Sequence, residues 1–250
     1  MMRNIIINKP NKVKVSIMQP YLFPYLGYYQ LINLVDSFVL FNDVNYMRSK
    51  WINRNSILAN GSRHVFTIPL SKASQNKKIK DILIHKESFN DWREKFLKTL
   101  FLNYKNAPYR DKVIKLVIKV FSNNHQSITQ YCKQSLTDVL SYLCINNEKI
   151  YLSSAIGGEH LKNIDRIIYI TKILGGEIYI NPANGRSLYK NEVFIKNNLK
   201  LLFLDSHLPP YPQQTKNKEF IESLSILDLL MNCSRTTCLD FLQRFSLSSI

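Results

Sequence analysis

Four polar residues in the first quarter of the chain have the types and the setting that chemistry needs. Gln19 follows a short apolar run and offers both a donor and an acceptor. Asp43 follows a second such run and can act as a general base or accept from a ribose or sugar hydroxyl. Arg54 can clamp a phosphate or carboxylate with two parallel hydrogen bonds, and Asn55 beside it can position a carbonyl or hydroxyl. Between them stand Tyr21, Phe23, Tyr25, Tyr28 and Tyr29, whose faces can stack on a base or on the apolar face of a sugar. Each also has a plainer reading. Gln19 can satisfy a proline turn, Asp43 can cap a turn or pair with Arg54, and any of the aromatics can be core. A second group lies further on. Ser153 and Ser154 can offer hydroxyls or N–H groups to an anion, or can cap a helix. Asn181, before Pro182, can face a ligand or close an Asx-turn.

These residues matter only if secondary structure brings them together. Residues 13–18 are short, apolar and β-branched, which predicts a buried strand. The stretch QPYLFPYLGYY then forbids regular structure with two prolines and a glycine. Helical spacing resumes over 28–34, and residues 37–41 predict a second strand. Strand, loop, helix, strand is the βαβ unit of a parallel sheet. Ligands of such sheets bind beyond the carboxyl ends of the strands, where Gln19, Pro20, Tyr21 and Asp43 fall. A strand at 149–152, a helix over 160–174 and a strand at 177–180 repeat the plan, and 200–204 adds another strand.

Between the two units, Asn60-Gly61 flanked by apolar runs predicts a hairpin. Residues 70–80 are polar and Lys-rich, as in a mobile loop. Residues 90–145 carry three apolar faces of helical period. Residues 222–245 close the chain as one or two amphipathic helices. The expected fold is α/β, a mainly parallel doubly wound sheet with C-terminal helices. Residues 1–12 read as a flexible tail and 13–250 as one domain, with 88–146 a mainly helical insertion.

Composition narrows the function classes. An apolar fraction of 45% with 14 Tyr and 13 Phe is that of a folded protein rather than a disordered one. The net charge of +16 is spread through a chain rich in Lys, Asn and Ile, with no nucleic-acid motif, so nucleic acid is not the expected partner. The positive field suits an anionic small substrate, such as a nucleotide-sugar. No phosphate loop, G-x-G-x-x-G or G-x-S-x-G elbow is present. No cofactor is therefore assigned. Cys132, Cys144, Cys233 and Cys238 form no C-x-x-C pair and no His stands at ligand spacing, so no metal site is expected. Cys132 and Cys144 lie in an apolar helical pattern and read as buried thiols. With no signal peptide and no apolar run of membrane-spanning length, the expected location is the cytoplasm.

The run Gln19-Pro20-x-x-x-Pro24-x-x-Gly27-Tyr28 is followed by Asp36-x-Phe38-Val39, Asp43 and Arg54-Asn55. Later come Pro69, Trp92, Ala107-Pro108-Tyr109, Ser153-Ser154, Tyr179-Ile180-Asn181-Pro182, Tyr211, Gln213 and the helix from Leu224 to Leu230. In this order they resemble the WbqC-like family over about residues 14 to 232. The resemblance implies a place among surface-polysaccharide (O-antigen) or other amino-sugar pathways. It also implies a transferase moving an acyl or aminoacyl group to an amine, with a nucleotide-sugar or an activated acyl donor as partner. A non-catalytic carbohydrate-binding or partner-binding role in the same pathway is the alternative. The opening strand, loop and helix are also similar to nucleotidylyltransferases of the HIGH-signature class. Those hold phosphates with a pair of His, whereas Tyr25 and Tyr28 stand here and residues 17–30 contain no His. That departure weighs against nucleotidyl transfer but not against the fold.

Overall fold

The computed structural model describes residues 12–48, 50–216 and 219–249. Residues 1–11 of the expected tail lie outside the described residues. The first unit is β1 (Lys14–Met18), α1 (Leu26–Leu34) and β2 (Ser37–Leu40). A long excursion follows: the hairpin β3 (Arg54–Ala59) and β4 (Ser62–Thr67), the small ribbon β5 (Leu70–Ser71) and β6 (Leu83–Ile84), and the helices α2 (Lys86–Asn103), α3 (Arg110–Ser122) and α4 (Ile128–Tyr142). The chain re-enters the sheet as β7 (Ile150–Leu152), then runs through α5 (Asn163–Ile173), β8 (Ile178–Pro182), α6 (Asn191–Lys196) and β9 (Lys200–Ser206). It ends with α7 (Ile226–Asn232), α8 (Arg235–Phe241) and β10 (Phe245–Ser248).

The main sheet has the order β10-β9-β8-β1-β2-β7. All neighbours pair in parallel except β10, which runs antiparallel along β9. The chain therefore leaves β1 first toward β2 and β7, then crosses to β8 and β9 on the other flank. The crossing point lies between β1 and β8, where doubly wound sheets open a crevice for ligands. Alternate residues serve the two faces, as the period of a strand requires. Phe38, Leu40, Ile178 and Ile180 join the core formed with α1 and the helices of the excursion. Val15, Ile17, Val39 and Tyr179 join a second core beside α5 and α6.

Local chemistry explains most boundaries. In the hairpin, Ala59 pairs with Ser62, and Asn60 (φ 51°) and Gly61 (φ 68°) are both left-handed. That is a type I′ turn, the one whose twist suits a two-residue hairpin. Helix α4 opens with a capping box in which Ser127 Oγ accepts from Gln130 N–H and the Gln130 side chain answers to the Ser127 backbone. Val113, Leu116, Val117 and Val120 are buried along α3, as their spacing requires.

Three features differ from the sequence reading. The Lys-rich segment is not a free loop: Tyr46 N–H donates to Lys77 O, Ile79 N–H to Val44 O and Lys80 N–H to Asn42 O. Ile79 is the fully buried anchor among its lysines. The chain end adds β10, which covers the β9 edge that would otherwise expose unpaired backbone groups. The hairpin belongs to the same excursion as the three helices, because β2 and β7 are direct neighbours in the sheet.

Candidate functional site

The loops beyond β1, β2, β7 and β8 meet over one rim of the sheet. Asp43 sits just past β2, and its side chain is 3% exposed. Its Oδ2 accepts from Arg166 Nη2 at 2.8 Å, and its Oδ1 accepts from the Ser153 hydroxyl. Arg166 comes from the first turns of α5, is itself 3% exposed, and also donates from Nη2 to Ser153 O at 3.0 Å. Asn42 completes the frame: its N–H donates to Ser153 Oγ, its Nδ2 to Ser154 Oγ, and its Oδ1 accepts from Ser154 N–H, each at 3.1 Å. The β2 and β7 ends are thus latched together, with one carboxylate and one guanidinium held rigidly between them.

Two cavities open on this rim. One, of about 590 Å³, is walled by Gln19, Phe41, Asp43, Lys78, Lys162 and Arg166, among others. The other, of about 460 Å³, lies at the crossing point between β1 and β8 and includes Gln19, Pro20, Tyr21, Trp51, Asn181 and Tyr189 in its wall. Gln19 and Phe41 belong to both walls. The second cavity is aromatic. Tyr21 packs edge-on against Tyr28 and tilted against Trp51, with ring centroids 6.2 and 6.3 Å apart. Burial and nearby Tyr25 push the Tyr21 hydroxyl well above the ordinary phenol range, with Arg63 and Arg54 offsetting part of the rise. Tyr21 is therefore a neutral hydrogen-bond donor at physiological pH.

The residues expected to form a site separate into two groups. Gln19, Tyr21, Asp43 and Asn181 all reach the cavities. Asn181 Nδ2 donates to the Tyr179 and Tyr189 hydroxyls at 2.9 and 3.2 Å, which fixes its orientation in the wall. The others serve as supports. Tyr28 touches the wall of the aromatic cavity, but it is 1% exposed and donates its hydroxyl to Gln19 O at 2.8 Å, so its main part is to orient the loop. Ser153 and Ser154 are committed to Asp43 and Asn42 rather than left open to an anion.

Asn55 lines neither of these two cavities. Its Nδ2 donates to Leu22 O and Phe23 O, and its Oδ1 accepts from Ser56 N–H. It braces the loop after β1, where Phe23 is held at φ 42°. Arg54 does not pair with Asp43, which is claimed by Arg166; instead its guanidinium lies 4.9 Å over the Trp51 ring, from outside the cavity walls. It stiffens the aromatic wall by a cation–π contact.

Arg166 was invisible to motif reasoning. It lies inside an amphipathic helical pattern, and its partner Asp43 is 123 residues away. The signal that could have found it is a basic residue one turn before the buried Ile170 in α5, where it must be paired to be tolerated. No histidine lines either cavity, and the described residues contain no cluster of His, Cys, Asp or Glu suited to a metal. Burial pushes the thiols of Cys233 and Cys238 up to about 11 and about 12, and that of Cys132 higher still. None of these three is a ready nucleophile. Cys144, expected to be buried, is exposed: α4 ends at Tyr142, and Cys144 turns off its apolar face at φ 58°.

The latch depends on the turn at Gly157 (φ 83°) and Gly158 (φ 81°). A Cβ on Gly158 would lie 2.6 Å from both Arg166 Nη1 and the Tyr169 ring. Gly158→Ala is expected to destabilise the fold by about 1–3 kcal/mol, through left-handed strain plus the clash. Chemical denaturation checks this, and a loss below about 0.5 kcal/mol, the range of ordinary surface substitutions, would contradict the placement of Arg166 under this turn.

Comparisons with known proteins give the family. The model of the WbqC-like protein family matches residues 19–238, which includes every residue of the rim. The chain is also 26% identical over 229 residues to the uncharacterized protein Rv1507c of Mycobacterium tuberculosis (strain ATCC 25618 / H37Rv), covering 88% of this chain and 93% of that one. No solved structure matches. No described helix is long and apolar enough to cross a membrane.

Proposed function

The chain belongs to the WbqC-like protein family, and from that footing we propose that it is a small-molecule transferase of surface-polysaccharide or related amino-sugar biosynthesis, moving an acyl or aminoacyl group to an amine. One observation carries the proposal: Gln19 stands in the walls of both cavities, so a donor in one and an acceptor in the other meet at its side chain. Strand-end loops on a rigid sheet are where doubly wound enzymes assemble such sites.

The residues divide the work as follows. Asp43 is fixed by Arg166 and Ser153 and keeps lone pairs to accept from the attacking amine. The amine nitrogen forms a bond to the acyl carbon, the bond to the leaving group breaks with its electron pair, and the nitrogen's proton passes toward Asp43. Gln19 and the neutral Tyr21 hydroxyl donate to the acyl oxygen as charge gathers there. Asn181 and the aromatic wall hold the sugar or base, and Arg54 keeps Trp51 in place.

The order of strands about β1 favours a nucleotide as part of one substrate, since that crossing point is a common nucleotide-binding crevice. The test is incubation of the full chain with a nucleotide-linked amino sugar and activated acyl donors, read by the mass gained on the sugar. Gln19→Ala and Asp43→Asn are each expected to lower turnover by about 10²-fold or more. Ligand binding with no mass gain from any donor would abandon the transferase in favour of a non-catalytic binding protein of the same pathway.

A further inference from the structure

We infer that the aromatic cavity reads the edge of a nucleobase, with Asn181 Oδ1 accepting from a ring N–H and the Tyr189 hydroxyl donating to the acceptor beside it; this rests on the reading above and names what that cavity takes. A count of hydrogens supplies the first reason. Three close contacts join Asn181, Tyr179 and Tyr189: Nδ2 meets the two hydroxyls at 2.9 and 3.2 Å, and the hydroxyls meet each other at 3.1 Å. Filling all three takes three hydrogens. The amide nitrogen supplies two and one hydroxyl supplies the third. With the amide turned round, only the two hydroxyl hydrogens would remain for the same three contacts. Burial raises both phenols above their ordinary range, so both keep their protons. Tyr179 is fully buried, so its hydrogen goes to Tyr189 Oη. The hydrogen left over is then on Tyr189, which lines the cavity.

The other half of the edge reader is Asn181 Oδ1. Facing away from the tyrosines, it lies against Gly185, and both residues stand in the cavity wall. It accepts no hydrogen bond among the described residues and is not one of the atoms sealed from solvent. Gly185 makes the room, because a Cβ there would run into Oδ1. The backbone at Gly185 is outside the left-handed region, so its missing side chain serves this oxygen rather than a turn. The wall therefore offers one open acceptor and one open donor, belonging to two side chains 3.2 Å apart.

This pairing selects the ligand. An open-chain amide, such as an N-acetyl group, is trans, so its N–H and C=O leave opposite sides. A nucleobase carries a ring N–H or amino group and an acceptor on one edge, and proteins read that edge while stacking on the ring. Trp51 and Leu188 are 44% and 73% exposed in the same wall, apolar surface that a flat ring covers better than a hydroxylated one. The shared chemistry is an N–H beside an acceptor on a planar ring, as in uracil or adenine.

The experiment is calorimetric titration of the full chain with uridine and adenosine monophosphates, with N-acetylglucosamine as the open-chain amide. At least one nucleotide is expected to bind about tenfold or more tightly than the sugar. That nucleotide should lose about tenfold or more when its edge nitrogen is methylated, at N3 of the uridine or twice at N6 of the adenosine. Tyr189→Phe, which lacks the spare hydrogen, should weaken it by about fivefold. Gly185→Ala should weaken it and also shrink the methylation penalty, since the oxygen that senses the methyl has been pushed aside. A merely structural glycine would weaken both forms alike. If Gly185→Ala does not fold, the methylated nucleotides and Tyr189→Phe still decide. No nucleotide binding, preference for the sugar, indifference to edge methylation, or unchanged affinity in Tyr189→Phe would overturn the inference. Its failure and that of the transferase look different. Edge-selective nucleotide binding with no acyl transfer removes the transferase and leaves the base reader. Acyl transfer that ignores edge methylation removes the base reader and leaves the transferase.

Discussion

Arg166→Ala is expected to lower folding stability by about 3–5 kcal/mol, because it strands the buried Asp43 carboxylate without its ion. The expectation follows from burial, not from the ion pair being strong in itself. Both side chains are 3% exposed, so water cannot replace the lost partner. Asp43→Asn/Arg166→Met removes both charges and should recover a large part of the loss, since a buried pair replaced by neutral groups is often nearly neutral. Urea unfolding read at the transition midpoint measures all three proteins. A loss below about 1 kcal/mol for Arg166→Ala, the worth of a surface ion pair, would show that the latch is open to solvent. Stability and function should also part company here. The double variant should fold yet lose turnover, because Asp43 and Arg166 are both in the proposed site.

The second large effect is expected far from the rim, at Asp228 in α7. This carboxylate is fully buried and accepts from three side chains: Tyr104 Oη at 2.7 Å, Tyr211 Oη at 2.6 Å and Gln213 Nε2 at 2.9 Å. The Tyr104 hydroxyl in turn accepts from Leu58 N–H of the hairpin at 2.9 Å. One acid therefore ties α2, β3, α7 and the segment after β9 together. Asp228→Ala leaves these donors unpaired and should cost about 4 kcal/mol, from roughly 1–3 kcal/mol per stranded group less local relaxation. Thermal unfolding should show a fall of roughly 10 °C.

A pH signature distinguishes this cluster from ordinary packing. Burial raises the Asp228 carboxyl above its usual range, and the three donors pull it part of the way back. A raised value means that the native state holds the proton more tightly than the unfolded chain does. The native state thus binds more protons between the ordinary carboxylate value and the raised one, and stability falls as pH rises through that window. Asp228→Asn cannot titrate. Its stability should therefore gain on the unaltered protein as pH rises across the window and run parallel to it above. A gap that widened in the opposite direction would mean that the donors outweigh burial.

The sheet was readable in the sequence because its strands carry short-range signals. The β-branched run before Gln19 and the prolines that stop regular structure are local, although Gly27, read as part of that break, lies inside α1. So is Asn60-Gly61, where the turn chemistry is contained in two residues. The site was readable only where position in the sheet determines it. Gln19 and Asp43 follow strands and Asn181 lies at the end of one, and parallel strands carry their C-terminal residues to the same rim. What was not readable depends on partners distant in sequence. Arg54 is close to Asp43 along the chain, yet Arg166 pairs with it, because α5 starts over the ends of β2 and β7. Asn55 looked like a ligand group for the same reason: nothing local reveals that Leu22 and Phe23 turn their carbonyls toward it. The segment 77–80 misled because its lysines conceal one buried isoleucine, and β10 because a four-residue edge strand has too few residues to show a period.

The bend at Phe23 draws on distant parts of the chain. Its N–H donates to Ser135 Oγ on α4, and its carbonyl accepts from Asn55 on β3 and from Ser225 at the entrance to α7. The loop that shapes the crevice near the start of the polypeptide thus cannot be fully restrained until residue 225 is present. During synthesis the bracing of this loop stays incomplete until almost all of the given sequence has emerged.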